Sequence, residues 1–473
     1  MNETDLCYLP ATDLAALIRE KQISPVEVVQ TVLARIEALE PQLNAFATLT
    51  PERAVEDARR AEAALMGGDA LGPLHGIPVT IKDLIITKDI PTERGSHTCK
   101  GSVPDEDAPV VTRLKQAGAI LLGKTTTSEF GWKGVSESPL TGITHNPWKH
   151  GYNAGASSAG AGAAAAAGYG PLHQGSDGAG SVRMPAHFCG IYGLKPTYGR
   201  VPYYPVSNND YTSHIGPMTR TVADAALMLQ AMSGPHPLDH SSCEAWPPDY
   251  PARLGEGIKG KRVAFSPDLG HARVEPEVAA LVAAAATAFG DLVGGAVEEV
   301  TPAWGKNGPE LIRFTWPAHT SAHAKYLPEF ESRMDPGLVA CIRTATGWTT
   351  ADYQAVRERK LAYCAAVARW FEDWDFLLTP TVSVAAFPAE LLQPAHWPQH
   401  PWDWISWAEF SYPFNFTGMP AATVPCGFTS EGLPVGLQIV GRRFDDLGVL
   451  QASAAFEKAH PWQQIRPGLC PHA

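Results

Sequence analysis

The sequence lacks the features that would point to nucleic acid, to a disulfide framework or to a thiolate metal site. Its 37 Lys and Arg residues are outnumbered by 49 Asp and Glu residues, and no basic run occurs. Phosphate backbones are bound by clustered positive charge, so no nucleic-acid partner is expected. The eight cysteines are scattered without a CxxC pair, and the histidines form no known ligand motif. We therefore expect no disulfide framework, no metal and no cofactor.

Long apolar runs are also missing. The first residues, MNETDLCYLPATDLAAL, contain no basic segment followed by a long apolar stretch, as a secretory signal would. The alanine-rich stretch 161–167 is too short to cross a bilayer. These observations predict no membrane partner and a cytoplasmic location. The 45% hydrophobic and 18% charged residues provide ample material for a folded core.

Residues 1–70 are predicted to be helical. Ser24-Pro25-Val26-Glu27 combines the serine, proline and glutamate typical of a helix start, and apolar residues follow at helical spacing. Thr50-Pro51-Glu52 predicts a second helix that reaches about Leu65 and stops at Gly67-Gly68.

From Leu74 onward, short apolar strands alternate with helical segments. A predicted strand ends on Lys82, a helix covers 109–118, and a buried strand covers 119–124. This alternation predicts an α/β core. We expect one large α/β/α domain with a central mixed β-sheet flanked by helices. Neither an internal repeat nor a long linker occurs, so we expect a single domain over residues 1–473.

Residues 151–200 form a segment rich in glycine, alanine and serine. It contains no GxxxxGK[ST] phosphate loop, and a strand–GxGxxG–helix context is not clear. Acyl transfer fits better, since it needs a nucleophile and donors aimed at the developing oxyanion. In Gly178-Ala179-Gly180-Ser181, tiny side chains allow successive backbone N–H groups to surround a serine hydroxyl. Ser181 is therefore a candidate nucleophile with its own oxyanion hole.

The base for such a serine is not a histidine of a GxSxG elbow, because that motif is absent. A lysine can act as the base when it is neutral, and burial removes its charge. Lys82 stands at the end of an apolar strand, where such burial is possible. From the residues alone, Lys82 is either this buried base or an ordinary surface cation.

Several motifs resemble those of the amidase signature family. Residues 155–160 (GASSAG) are similar to its GGSSGG loop, and residues 175–186 (GSDGAGSVRMPA) to its GTDxGGS(I/V)R(I/M)PA stretch. The continuation to Gly193-Leu194-Lys195-Pro196-Thr197 and the upstream Lys82-Asp83 also match. The resemblance runs in fixed order from about residue 7 to 460, with residues 74–225 as the signature core and 226–473 as the remaining sheet, helices and pocket loops.

The resemblance implies a hydrolase of amide-type C–N bonds with a Ser–Ser–Lys triad. Ser181 would be acylated, Ser157 would relay its proton after a cis peptide bond, and Lys82 would be the neutral base. The oxyanion hole would consist of the amides of Gly178, Ala179, Gly180 and Ser181. Alanines stand where the family usually has glycine, at Ala156, Ala159 and Ala179, which leaves the triad intact but requires a negative φ at Ala179.

The substrate and the partners remain open at this point. The leading expectation is a small aryl or alkyl amide, the alternative is a carbamate, and a further alternative is the glutaminase subunit of a tRNA-dependent amidotransferase. Trp397, Trp402 and Trp404 are candidates for a substrate-binding wall, or else pack beneath a proline-rich loop. The chain is expected to act alone or as a homodimer.

Overall fold

The computed structural model describes residues 2–469, so Cys470 lies outside the described part. Fifteen strands are found there. They are β1 (Phe46–Leu49), β2 (Pro78–Lys82), β3 (Ile120–Thr125), β4 (Glu137–Ser138), β5 (Gly142–Ile143), β6 (His145–Asn146), β7 (Lys149–Asn153), β8 (Leu172–Asp177), β9 (Tyr192–Lys195), β10 (His214–Thr219), β11 (Val263–Phe265), β12 (Glu298–Glu299), β13 (Phe376–Pro380), β14 (Ala421–Phe428) and β15 (Pro434–Gly441).

Sixteen α-helices accompany these strands within the same described range. They are α1 (Glu3–Cys7), α2 (Ala11–Arg19), α3 (Pro25–Leu43), α4 (Pro51–Gly67), α5 (Pro109–Gln116), α6 (Ala159–Ala167), α7 (Arg183–Cys189), α8 (Val222–Met232), α9 (Tyr250–Arg253), α10 (Pro276–Val293), α11 (Gly308–Thr320), α12 (Leu327–Phe330), α13 (Pro336–Thr344), α14 (Thr350–Trp370), α15 (Tyr412–Phe416) and α16 (Asp446–Ala459).

Eleven of the strands form one mixed sheet, in the order β1-β3-β2-β8-β10-β9-β14-β15-β13-β11-β12. The pairs β2–β3, β2–β8, β11–β13 and β11–β12 are parallel, and the other neighbours are antiparallel. Because β2 and β8 are parallel neighbours, their carboxyl ends meet at the same edge of the sheet. That edge holds Lys82 and the loop after Asp177.

Helices cover the sheet on both faces, as the sequence predicts. On one face α3, α4 and α6 bury an apolar cluster that includes Val32, Ile36 and the alanines of α6. On the other face α8, α10 and α16 pack against the central strands in a larger cluster. A third apolar cluster joins α7, α11 and α13 to the tryptophan-rich segment 397–407. The predicted α/β class with a central mixed sheet is confirmed.

The N-terminal region differs from the predicted all-helical segment. The helices begin as expected, since the Ser24 hydroxyl accepts a hydrogen bond from the Glu27 amide at 3.0 Å and caps α3. Between α3 and α4, however, residues 46–49 form β1, which pairs with β3 at the edge of the main sheet. Four residues carry too little periodicity to be told from a helix end, and the pairing partner is distant in sequence.

One helix, α10, is long and apolar enough to cross a membrane by length and composition alone, with a mean hydropathy of 1.4. Its Val278, Val282, Phe289 and Val293 are buried in the core cluster against the sheet. Packing in that core accounts for these apolar residues.

The continuous sheet leads to a prediction about domain organisation. Its strands come from residues 46 to 441, so no cut of the chain separates two complete sheets. We expect limited proteolysis to yield no pair of separately folded halves, and unfolding in denaturant to follow one transition with the same midpoint by fluorescence and circular dichroism. Two stable fragments or two transitions would contradict a single domain.

Candidate active site

Lys82 ends β2 and is completely buried. Its backbone amide donates to Gln174 Oε1 on β8 at 3.0 Å, which fixes the end of the strand. Its Nζ lies 2.7 Å from Ser157 Oγ and 2.9 Å from Ser158 Oγ. The hydroxyl and the carbonyl oxygen of Ser176 are 3.1 and 3.3 Å away. The structure therefore surrounds this amine with three serines.

The surroundings of Lys82 disfavour its charged form. Burial lowers the pKa of Lys82 well below its ordinary value, and the negative charge of Asp177 opposes this only in part. No carboxylate of residues 2–469 forms an ion pair with Lys82, whereas the neighbouring Lys124 has Asp83 at 3.5 Å. A neutral amine keeps a lone pair, which can accept a proton from a hydroxyl at 2.7 Å.

Ser157 lies in the loop that enters α6, after a cis peptide bond between Ala156 and Ser157. The next residue, Ser158, donates its backbone N–H to the Ser181 carbonyl at 3.2 Å, so the loops of the two candidate serines are in contact. Gly131 lies beside them with φ +74, and a Cβ there would approach Ser157 Oγ to 3.0 Å. Only glycine fits this position without shifting the hydroxyl.

Ser181 lies between β8 and α7 and is 3% exposed. Its loop is held by Asp177, whose carboxylate accepts from the amides of Gly180 at 2.7 Å and Val182 at 3.1 Å. Gly180 has φ +111, and a Cβ there would collide with the Ser411 side chain at 2.7 Å. None of Ala156, Ala159 and Ala179 is among the described residues with positive φ, so alanine is accommodated at all three.

The carboxylate of Asp177 forms a two-point ion pair with Arg183, at 2.9 Å to Nη2 and 3.0 Å to Nε. Arg183 also donates to Gln438 Oε1 and Asn415 Oδ1. Burial alone would raise the pKa of Asp177, but Arg183, together with Lys195 and Asn415, outweighs this effect and holds that pKa well below the usual range. Asp177 and Arg183 thus brace the loop that carries Ser181.

Breaking this pair should strongly destabilise the fold. Arg183→Met leaves the Asp177 carboxylate buried without its partner, which costs about 3–5 kcal/mol of unfolding free energy. The midpoint of denaturant unfolding measures the loss. As a matched control, Arg359→Met breaks the exposed Arg359–Glu310 pair and should leave the midpoint almost unchanged. Equal stability of the two variants would contradict the bracing role.

The four backbone amides predicted to form the oxyanion hole differ in whether they are free to donate a hydrogen bond. The amide of Gly180 already donates to the Asp177 carboxylate, so it is not the free donor that the sequence predicts. The amides of Gly178, Ala179 and Ser181 have no hydrogen-bond acceptor among the residues that the structure describes. Three amides of this loop therefore remain available to an oxygen of a bound molecule.

A cavity of about 350 Å³ opens beside these loops, and Ser157, Ser176 and Gly178 line it. Further lining residues come from distant parts of the chain. They are Leu84, Arg94, Phe130, Gly131, Asp177, Tyr203, Pro205, Val206, Ser207, Asn208, Asn209, Ser213, Trp316 and His323. The volume suits a ring-sized organic group. Among residues 2–469, no cluster of His, Cys, Asp and Glu could hold a metal ion.

The candidate tryptophans are buried packing residues and do not line this cavity in the described part of the chain. Trp397, Trp402 and Trp404 are 4%, 6% and 1% exposed and belong to the third apolar cluster. Trp404 packs edge-on against Trp316 with ring centres 5.6 Å apart, and it is Trp316 that reaches the cavity. The sequence did not indicate Trp316 as a wall residue, because α11, which carries it, is brought to the signature core only by tertiary packing.

Sequence reasoning missed the contribution of Ser176 and Gly131. Ser176 replaces the threonine of the resembling motif and brings a second hydroxyl to Lys82 Nζ. The motif match could have indicated Ser176, because this residue directly precedes Asp177 and is the last but one residue of β8. Gly131 follows no motif in the sequence and could not have been found that way.

Comparison with known proteins identifies the family. The amidase family model matches residues 27–450, which is most of the chain. The chain belongs to the amidase signature family. The acylamidase of Rhodococcus erythropolis is 39% identical over 477 residues, covering 99% of this chain and 98% of that protein. A glutamyl-tRNA(Gln) amidotransferase subunit of Moorella thermoacetica is 36% identical, covering 98% of this chain and 99% of that protein.

Solved structures of amidases agree with this assignment. A bacterial aryl acylamidase of the amidase signature family superposes with a TM-score of 0.90 at 30% identity, covering 97% of each chain. A 6-aminohexanoate cyclic dimer hydrolase complexed with substrate gives 0.89 at 30% identity, covering 98% of this chain and 99% of that one. The protein is an amidase signature hydrolase and acts on amide bonds.

Proposed function

We propose that this amidase hydrolyses small aryl or alkyl amides through an acyl-enzyme on Ser181. The observation that carries the proposal is the buried Lys82 amine, whose pKa is lowered and which lies 2.7 Å from the hydroxyl of Ser157, a residue that lines the cavity. The acyl and amine parts of such a substrate are small enough to fit the cavity of about 350 Å³. The 39% identity to an acylamidase supports the amide class.

In the first half-reaction Ser181 Oγ attacks the amide carbonyl carbon. Its proton passes to Ser157 Oγ, while the proton of Ser157 passes to the neutral Lys82 Nζ. The carbonyl oxygen becomes an oxyanion, which the amides of Gly178, Ala179 and Ser181 stabilise. The C–N bond then breaks, and the leaving nitrogen receives the proton that Lys82 returns through Ser157.

In the second half-reaction water attacks the acyl-enzyme. Lys82 is neutral again after the amine has left, so the same relay accepts a proton from the water. The ester bond to Ser181 breaks, its oxygen regains a proton, and the carboxylic acid leaves. Ser158 and Ser176 hold Lys82 Nζ in place at 2.9 and 3.1 Å throughout.

A rival function is suggested by the similarity to amidotransferase subunits. The 36% identity to an amidotransferase component favours release of ammonia from glutamine within a complex. The same acyl chemistry would also cleave a carbamate. A hydrolysis screen of anilides, aliphatic amides, carbamates and glutamine on the purified chain distinguishes these functions. Turnover of anilides or aliphatic amides is expected, whereas activity on glutamine or carbamates alone would overturn the proposal.

A further inference from the structure

Arg94 lines the cavity and has no partner of opposite charge. The residue is half-buried, and its guanidinium makes no hydrogen bond or ion pair with any residue between 2 and 469. By contrast, the partly buried guanidinium of Arg313 is paired with both Asp403 and Glu409. A half-buried, unpaired cation beside a catalytic loop is a group with unused binding capacity.

The backbone of Arg94 is held firmly in an unusual conformation. Its φ is +58, and its amide donates to Asp83 Oδ2 at 2.8 Å. Its carbonyl accepts from the amide of Phe130 at 2.9 Å, and Phe130 has φ +50. Two non-glycine residues in the left-handed region, bonded to each other at one cavity, represent backbone strain that concentrates at functional sites.

Arg94 is one of several side chains that line the cavity. Its positive charge acts on both Tyr203 and His323, which reach the cavity from separate segments. Burial, with help from Lys325 and Arg94, lowers the pKa of His323 to about 4, so this imidazole is neutral near pH 7. His323 stacks on Phe130 with ring centres 4.1 Å apart, which adds an aromatic surface to the same cavity.

The charges around the cavity do not cancel Arg94. The Asp177 carboxylate is committed to Arg183, and burial disfavours the charged form of Lys82 by lowering its pKa. Arg94 is thus an uncompensated positive charge in a cavity that also offers aromatic surface. Such a site favours a ligand with a carboxylate and an aromatic or apolar part over its neutral counterpart.

We propose that Arg94 binds a carboxylate of the substrate, so that the amidase prefers amides carrying a free acid group over matched neutral amides. This rests on the proposed amide-hydrolase function and names the substrate class of that same cavity. The carboxylate pairs with the guanidinium through two parallel N–H···O bonds, while the aromatic part contacts Phe130 and Trp316. Arg94 acts in binding and specificity and takes no part in the proton relay.

Two pairs of substrates test this proposal. The acid is on the amine side in 4-acetamidobenzoate and on the acyl side in N-phenylsuccinamate, and each is compared with its methyl ester. In at least one pair, kcat/KM of the acid should exceed that of the ester by about 10- to 100-fold. Arg94→Gln should abolish this preference through KM and change the ester by less than about twofold.

Two further variants sharpen the comparison. Arg94→Lys keeps the charge and should retain part of the preference, since a lysine pairs with carboxylates as a point charge. Lys100→Gln removes an exposed cation of the same segment that does not line the cavity, and it should leave the preference unchanged. Equal preference for acid and ester in both pairs, or equal loss on both after Arg94→Gln, would overturn the proposal.

Direct binding separates this proposal from the catalytic one. In a Ser181→Ala background, titration calorimetry should show tighter binding of the acid than of the ester in the preferred pair. Adding Arg94→Gln should remove the difference. This difference reports on Arg94 whether or not Ser181 is the nucleophile. If neutral anilides are hydrolysed but no acid binds more tightly, only the substrate class is wrong.

Discussion

Replacing Ser181 by alanine should reduce kcat by at least about 10⁴-fold, since loss of a serine nucleophile leaves only the contribution of the oxyanion donors and of substrate binding. The fold should be retained, because the change removes a single hydroxyl and keeps the Cβ that the loop already accommodates. Steady-state hydrolysis of an anilide measures the effect, and circular dichroism with thermal unfolding checks the fold.

A matched control is available in another buried serine. Ser266 is completely buried, and its hydroxyl has no hydrogen-bond partner among the described residues. Like Ser181, it is not a lining residue of the cavity, but it follows β11 and lies outside the 177–183 loop. Ser266→Ala should therefore retain full activity. Comparable activity of the Ser181 and Ser266 variants would remove Ser181 from the mechanism.

Lys82→Arg should be nearly as damaging as Lys82→Ala, with kcat/KM falling about 10²- to 10⁴-fold in both, as for loss of a general base. Arginine stays protonated at any workable pH and cannot accept a proton from Ser157. If Lys82 acted only through positive charge, arginine would restore much of the rate. Measuring kcat/KM for both variants distinguishes these roles, and substantial rescue by arginine would contradict the base.

The pH profile gives an independent check on the same residue. Because burial lowers the pKa of Lys82, the amine is neutral above that pKa and charged below it. kcat/KM of the wild type should therefore fall as the pH drops through this pKa and level off on the alkaline side. The Lys82→Ala variant should lose that limb of the profile. An acid-side maximum in the wild type would contradict a neutral base.

The three residues of the proposed triad could be picked out from the sequence because they lie in ordered motifs. The apolar strand before Lys82 predicts burial, and the structure shows complete burial with Ser157 Oγ at 2.7 Å. The small residues around Ser181 predict free amides, and three of the four lack an acceptor among the described residues. Local composition encodes such features, since strand burial and loop geometry depend on neighbouring residues.

The cavity wall could not be predicted in the same way. Trp397, Trp402 and Trp404 stand in a tryptophan-rich segment, yet they are buried in the third apolar cluster, where Trp404 packs against Trp316. Arg94, Phe130 and His323 come from three separate segments with no motif. Which side chains share a cavity depends on long-range packing of helices against the sheet. β1 was missed for the same reason, because its partner β3 is remote in sequence.

The most direct measurement of the central claim is the site of covalent labelling by a serine-directed fluorophosphonate. After reaction with the wild type and proteolysis, mass spectrometry should place the adduct on Ser181, with activity lost in proportion to labelling. The Ser181→Ala variant should remain unlabelled, and labelling should slow as the pH falls and Lys82 becomes protonated. An adduct on Ser157, on Ser158 or on a residue outside the 177–183 loop, with Ser181 unmodified, would contradict the account.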